Sequence, residues 1–398
     1  MKTLYYKFMA FVVTWLLRLL PRNAPVVYKG INSALVLCEQ VAVLGFTRVL
    51  IVTDDFLGSS GILDGIKSTL TTSGVEFVVF DGVLPDPAFD QVQAGEAVYR
   101  SEGCQAVIAV GGGSVLDAAK MIAMLHTNPG PLKSFDGIQK CKKPGATLFA
   151  IPTTAGTGSE ITLAAIITDP VSHRKIPVVD SKMIPGYVAL DAEIMKGMPP
   201  GITAATGMDA LTHAVEAYLS ANALPETDAY ALAATRLIME NLPRAVAKGK
   251  DLEARQAMSF ASYYAALAFT RAGVGYVHAI SHNFGAYYHT PHGLANAIVM
   301  PYVLEYSKPK CIRRLADLAE AAGLKEKGDR RQALASKFIE RIRAMNEEFD
   351  IPDELEALKR SDIPAIARSA LKEAHFTYAV PRYMDQPACE KLISRMLA

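Results

Sequence analysis

Cysteine is scarce and scattered. Five occur, Cys38, Cys104, Cys141, Cys311 and Cys389, an odd number with no CxxC pair among them. That excludes a disulfide framework and a thiolate zinc site, and it fits reduced thiols in a cytoplasmic setting. Excess charge of either sign is missing as well. The formal net charge is +1, so no global field recruits nucleic acid, and no basic run carries interleaved aromatics. Internal repeats and low-complexity tracts are absent.

A long clean apolar run is also lacking. The nearest approach is MKTLYYKFMAFVVTWLLRLL at positions 1–20, which Lys7 and Arg18 interrupt. No A-x-A cleavage site follows it, which argues against a signal peptide. Thr3, Lys7, Thr14 and Arg18 share one helical face, while Leu4, Phe8, Phe11, Trp15 and Leu19 cover much of the rest. Residues 1–22 therefore read as an amphipathic helix. It either makes peripheral contact with a membrane or docks on the core or on a partner subunit.

What is present is ample core. The 398 residues are 51% hydrophobic and 20% charged, enough for two ordered domains. Through residue 200, short apolar runs alternate with helical patterns. Arg48–Asp54, Val75–Phe80 and Ala106–Val110 read as buried strands, which predicts a parallel α/β sheet. From Gly201 onward, Ala, Leu, Met, Glu and Arg dominate and helical periods run almost unbroken. Pro199-Pro200-Gly201 is the natural break. The expected organisation is a dinucleotide-binding α/β domain over 23–200 and an all-helical metal-binding domain over 201–398.

Two glycine-bearing loops follow strands in the first domain. Gly111-Gly112-Gly113-Ser114 comes after Ala106–Val110 and opens a helix containing Asp117. Strand, glycines and helix aim backbone N–H groups and a helix N-terminus at a phosphate. Pro152-Thr153-Thr154-Ala155-Gly156-Thr157-Gly158-Ser159-Glu160 follows the apolar run Thr147–Ile151. Its hydroxyls suit a phosphate, a ribose or a nicotinamide amide. Asp54, at the end of another strand, can accept both adenosine ribose hydroxyls and would repel a 2′-phosphate, a role for which the adjacent Asp55 competes.

The second domain holds the metal-ligating types. Four of eight histidines, His278, His282, His289 and His292, crowd one stretch. His278 and His282 share a helix face by their i,i+4 spacing, as do Asp209 and His213 upstream. Pro291 and Gly293 bracket His292 and suggest a turn. One carboxylate with several imidazoles suits Fe²⁺ or Zn²⁺ over Mg²⁺ or Ca²⁺. Spacing alone leaves open which of the four clustered histidines bind.

GGGSVLDAAK at 111–120, PTTAGTGSE at 152–160, GMDALTHAVEAY at 207–218 and HAISHNFGAYYHTPHGLANAI at 278–298 closely resemble the iron-containing (group III) alcohol dehydrogenase family. The resemblance extends from about Val26 to the C-terminus. It implies a dehydroquinate-synthase-like fold and assembly as a dimer or larger homo-oligomer. It implies a metal held by Asp209, His213, His278 and His292, with His282 nearby but not a ligand. It implies a cofactor site at Asp54, Gly111, Gly112, Gly113, Ser114, Asp117, Thr153, Thr154 and Thr157, with NAD preferred over NADP. The expected activity is hydride transfer between NAD and an apolar primary alcohol or aldehyde, with His282 as the proton relay. The alternatives are an NAD-using metal-dependent lyase or synthase on the same fold, or a dehydrogenase of a carboxylated semialdehyde. Two features depart from the family pattern: Arg271, where many relatives carry a smaller polar residue, and the hydrophobic segment before Pro21.

Overall fold

The computed structural model describes Tyr6, Val12, residues 24–171 and residues 174–398. The helix expected over residues 1–22 therefore lies outside the described residues, apart from Tyr6 and Val12. The Tyr6 ring stacks on His375 with centroids 4.5 Å apart. Among the described residues, no helix is long and apolar enough to cross a membrane. The chain divides into two compact units. One falls within Pro21–Met198; the other comprises Pro199–Ala398 and takes in Tyr6 and Val12.

The first unit contains β1 (Val26–Lys29), β2 (Arg48–Val52), β3 (Glu76–Phe80), β4 (Ala106–Gly111), β5 (Gly137–Ile138), β6 (Thr147–Pro152), β7 (Ala164–Thr168), β8 (Lys175–Val179) and β9 (Tyr187–Leu190). Between them run α1 (Ser33–Val43), α2 (Asp55–Ser59), α3 (Asp64–Thr72), α4 (Phe89–Ser101) and α5 (Gly113–Thr127), and α6 (Ala192–Met195) closes the unit. Six strands form an all-parallel sheet in the order β1-β9-β6-β4-β2-β3. Every residue of β4 is buried, as its unbroken apolar sequence requires of a strand covered on both faces. Leu37, Ile51, Ile66, Ile108 and Phe149 meet in the core on one face. On the other, α4 and α5 approach closely, because a Cβ on Gly95 would lie 2.4 Å from Ile122 Cδ1.

The chain moves outward from β2 to β3, then returns to β4 and proceeds the opposite way through β6 and β9. The order thus reverses between β2 and β4. In open α/β sheets, the crevice beyond the carboxyl ends of the strands at such a reversal is where ligands bind. A smaller sheet has the order β5-β8-β7. Within β7, Ala165 and Ile167 are buried and Ile166 is exposed, the alternation of an ordinary half-covered strand.

The second unit is helical: α7 (Pro200–Leu219), α8 (Pro225–Ala247), α9 (Leu252–Ala272), α10 (Tyr276–Tyr288), α11 (His292–Ala321), α12 (Arg331–Glu348), α13 (Ile363–Thr377) and α14 (Gln386–Ile393). Alanine lets these helices pack closely, with Ala214, Ala234 and Ala265 meeting where α7, α8 and α9 come together. On α7, a Cβ at Gly207 would collide with Leu242 Cδ1 at 2.3 Å. α11 bends at Cys311, two residues after Pro309, where the ring removes a backbone donor.

Candidate metal centre and cofactor loops

Beyond the carboxyl ends of β4 and β6, the two loops mesh. Gly111 and Pro152 are neighbours in register, and Thr153 N donates to Gly111 O at 3.0 Å. A Cβ on Gly112 would lie 3.3 Å from Thr154 Cγ2, and one on Gly113 would lie 2.8 Å from Thr157 Cγ2. Glycine is thus required at 113 by close approach to its neighbour. Gly112 is the N-cap of α5 and has no side chain of its own, so the backbone N–H groups of Gly113 and Ser114 begin the helix uncovered by any cap. At the end of β2, Asp54 caps α2 by accepting from Leu57 N at 2.9 Å.

Asp117 is turned inward. Its carboxylate accepts from Ser159 Oγ at 2.6 Å and from Ile166 N at 2.9 Å. The buried Lys120 ammonium donates to Ser159 Oγ, Thr162 Oγ1 and Ala164 O, so it ties α5 to the second loop and to β7. Burial pushes the Lys120 ammonium down to about 8. The same burial pushes the neighbouring Glu160 carboxyl up to about 7.

In the helical unit, α7 presents Asp209 and His213 one turn apart. The first turn of α10 brings His278 to them. His289 ends α10 with φ 54°, and the chain turns through Pro291 so that His292 begins α11. Ligand atoms of Asp209, His213, His278 and His292 all lie within 4.8 Å of one another. From Asp209 Oδ1, the Nε2 atoms are at 4.0 Å for His213, 3.9 Å for His278 and 3.5 Å for His292. Donors around a four-coordinate ion sit about 3.3–3.6 Å apart, given metal–ligand bonds of about 2.0–2.2 Å, so the set closes on one cation by contracting from separations of up to 4.8 Å. Asp209, His213 and His278 are buried while the His292 side chain is 40% exposed, which leaves an open side.

The local chemistry fits a cation. Asn296 Nδ2 lies 2.7 Å from Asp209 Oδ1, 3.1 Å from His292 Nε2 and 3.3 Å from His278 Nε2, so three atoms of ligand type crowd one amide nitrogen. Burial, together with the neighbouring imidazoles of His213, His292 and His282, holds His278 well below the usual histidine range. It is therefore neutral near pH 7, the form that ligates. Its Nδ1 contacts Glu216 Oε2 at 2.6 Å.

His282 projects beside this group. Its ring stacks on His292 with centroids 5.4 Å apart, and its Nδ1 meets Glu373 Oε1 at 2.8 Å. Tyr378 donates to the same oxygen at 2.6 Å. Burial raises the Glu373 carboxyl, but His282 and Tyr378 outweigh it and hold the group below the usual glutamate range. Phe269 stacks on His213. Arg271 ion-pairs with Glu226.

Residues 24–192 match the model of the iron-containing alcohol dehydrogenases, and residues 203–397 match that of the Fe-containing alcohol dehydrogenase C-terminal domain. The chain belongs to the iron-containing alcohol dehydrogenase family. Within it, the chain is 41% identical over 356 residues to the NAD-dependent methanol dehydrogenase of Bacillus methanolicus, covering 89% of this chain and 93% of that one. It is 40% identical over 357 residues to the 1,3-propanediol dehydrogenase of Citrobacter freundii, covering 89% and 92%. A solved 1,3-propanediol oxidoreductase superposes with a TM-score of 0.91 at 38% identity, covering 94% of this chain and 98% of that one. Like the rest of this alcohol dehydrogenase family, the chain is an oxidoreductase built as a parallel α/β domain followed by a helical one.

Three residues of the centre escaped the sequence reading. Glu216 stands seven residues after Asp209, two helical turns along the same face of α7, so periodicity carried its signal. Asn296 stands four after His292 on α11. Glu373 lies 91 residues from His282 and had no local motif to mark it.

Proposed function

We propose that this chain is an NAD-dependent alcohol dehydrogenase whose divalent metal, Fe²⁺ by the family's usage and with Zn²⁺ as the alternative, is held by Asp209, His213, His278 and His292. The observation that carries this reading is the convergence of those four donors from three helices, beside the Phe269 ring and with one side open. When bound, the metal supplies Lewis-acid polarisation of the substrate oxygen.

The chain's own residues do the rest. Asp209 contributes the one carboxylate of the set, and its charge offsets that of the cation. His278 is kept neutral by burial, so its lone pair stays available. Gly112, Gly113 and Ser114 offer backbone N–H groups to the cofactor pyrophosphate. Thr153, Thr154 and Thr157 offer hydroxyls to the ribose, phosphate or amide, and Asp54 accepts from the adenosine ribose. Asp117 acts by holding Ser159 in the second loop. His282 takes the proton lost by the alcohol at its Nε2, while its Nδ1 proton is shared with Glu373.

A primary carbinol or its aldehyde is the substrate class. Relatives named for methanol, 1,3-propanediol and lactaldehyde share that group. Phe269 on His213 supports an apolar chain beside it. The commitment of Arg271 to Glu226 disfavours a carboxylated semialdehyde, since the cation already has a partner. A lyase or synthase would use NAD without net turnover. We also read the chain as a homo-oligomer, which light scattering checks. Peripheral membrane contact through residues 1–20 is checked by liposome flotation against a chain beginning at Asn23.

The deciding experiment combines elemental analysis with absorbance of the reduced nicotinamide, using unbranched alcohols of increasing length, with and without chelator. One metal per chain and chelator-sensitive turnover are expected. His278→Ala and His292→Ala should each lose most of the bound metal and nearly all activity. Full metal content in both variants would refute the ligand set.

A further inference from the structure

Helix α10 begins without a cap of its own. Its N-cap residue is Gly275, which has no side chain to accept from the first-turn amides. The missing acceptor arrives from another helix. Glu216, on α7, accepts from Gly275 N through Oε2 at 2.8 Å and from Val277 N through Oε1 at 2.7 Å. The same Oε2 meets His278 Nδ1 at 2.6 Å. Glu216 is buried, and glycine at 275 is what lets it in, since a Cβ there would lie 2.8 Å from Oε1.

We propose that Glu216 is the positioning residue of the metal centre: one carboxylate caps α10 and, through the same oxygen, fixes the tautomer of His278. A carboxylate that takes two backbone donors and faces a ring nitrogen acts there as an acceptor. His278 Nδ1 therefore carries the proton, and its Nε2 lone pair is left on the side of Asp209 Oδ1, 3.9 Å away. Ligand imidazoles held in this manner bind metal more tightly, because ring orientation and basicity are set before the ion arrives. The geometry is also economical in sequence. Asp209, His213 and Glu216 occupy positions i, i+4 and i+7 of α7, so one helix face supplies two of the proposed ligands and the orienter of a third. The inference rests on the reading that His278 is a ligand.

Glu216→Gln keeps the shape and one acceptor but turns an NH₂ toward groups that are themselves donors. In the full chain, Zn²⁺ affinity measured by competition with a chromophoric chelator should fall about 10–100-fold. In the apo protein labelled with ¹⁵N-histidine, the His278 proton should move from Nδ1 toward Nε2. Should Glu216→Gln fail to fold, Gly275→Ala displaces the carboxylate without removing it and should weaken Zn²⁺ in the same direction. Affinity within twofold of wild type overturns the proposal. So does weakened affinity with the Nδ1 proton undisturbed, because Glu216 would then be only a helix cap. If the wild type itself binds no Zn²⁺, the metal reading fails together with the inference. If the wild type binds and Glu216→Gln binds equally, only the inference fails.

Discussion

Phe269 lies face to face with His213, ring centroids 4.2 Å apart and planes 20° from parallel. The ring therefore both orients a proposed ligand and offers apolar surface beside it. Each methylene that a substrate buries contributes about 0.8 kcal/mol, roughly fourfold in kcat/KM. Phe269→Ala should flatten the rise of kcat/KM with alcohol length, with about a tenfold loss for butanol and a much smaller one for methanol. Steady-state kinetics across the series check this. Equal losses at every length would show that Phe269 supports the metal site alone.

Asp54 has two tasks that can be separated. It caps α2 through Leu57 N, a contact whose loss to glycine costs about a few tenths of a kcal/mol. Its charge is also expected to repel the 2′-phosphate of NADP. Asp54→Asn keeps the cap and removes the charge, whereas Asp54→Gly removes both. Both variants should narrow the preference for NAD, chiefly through KM for NADP, but only the glycine variant should lower the melting temperature. An unchanged cofactor ratio in both would remove Asp54 from the ribose site.

His282 Nδ1 lies 2.8 Å from Glu373 Oε1, and His282 is not one of the four converging donors. His282→Gln is therefore expected to retain metal while kcat falls about a hundredfold, in the range of lost general acid–base catalysis. The acidic limb of the kcat–pH profile should disappear as well. Elemental analysis beside the pH profile distinguishes the outcomes, and loss of metal would make His282 a ligand.

Glu160 and Lys120 should give the α/β unit an unusual pH response. The Glu160 carboxyl is raised by burial from 4.5 to about 7, so between those values the folded chain binds more protons than the unfolded one. Stability then falls as pH rises through that window. The Lys120 ammonium is lowered by burial from 10.5 to about 8, so stability recovers as pH rises from about 8 to 10.5. Glu160→Gln should remove the acidic-side slope, and its stability relative to wild type should increase from pH 5 to pH 7. Denaturant titrations at several pH values check this. Parallel curves for the two proteins would show that Glu160 does not titrate in that range.

How much of this could be read in advance depended on the range of the interaction. Strands β2, β3 and β4 announced themselves through continuous apolar runs, within a residue or two of their observed ends. Asp209 with His213, and His278 with His282, were visible as one-turn spacings. Which histidines converge was not, because it depends on how His289 and Pro291 turn the chain into α11. The inward turn of Asp117 was likewise hidden, since its partners Ser159 and Ile166 are 42 and 49 residues away. Glu373 was beyond local reasoning altogether, because only the packing of α10 against α13 brings it to His282.

The meshing of Gly112 with Thr154 and of Gly113 with Thr157 makes the two loops a single part. At 113 the threonine already fills the space a side chain would need, and at 112 it stands so near that a side chain would have to push it slightly aside. A protein engineer who diversified one loop while freezing the other would recover little besides the starting residues. Altering the nucleotide contacts proposed for these loops calls for both to be redrawn together, as tooth and gap of one gear.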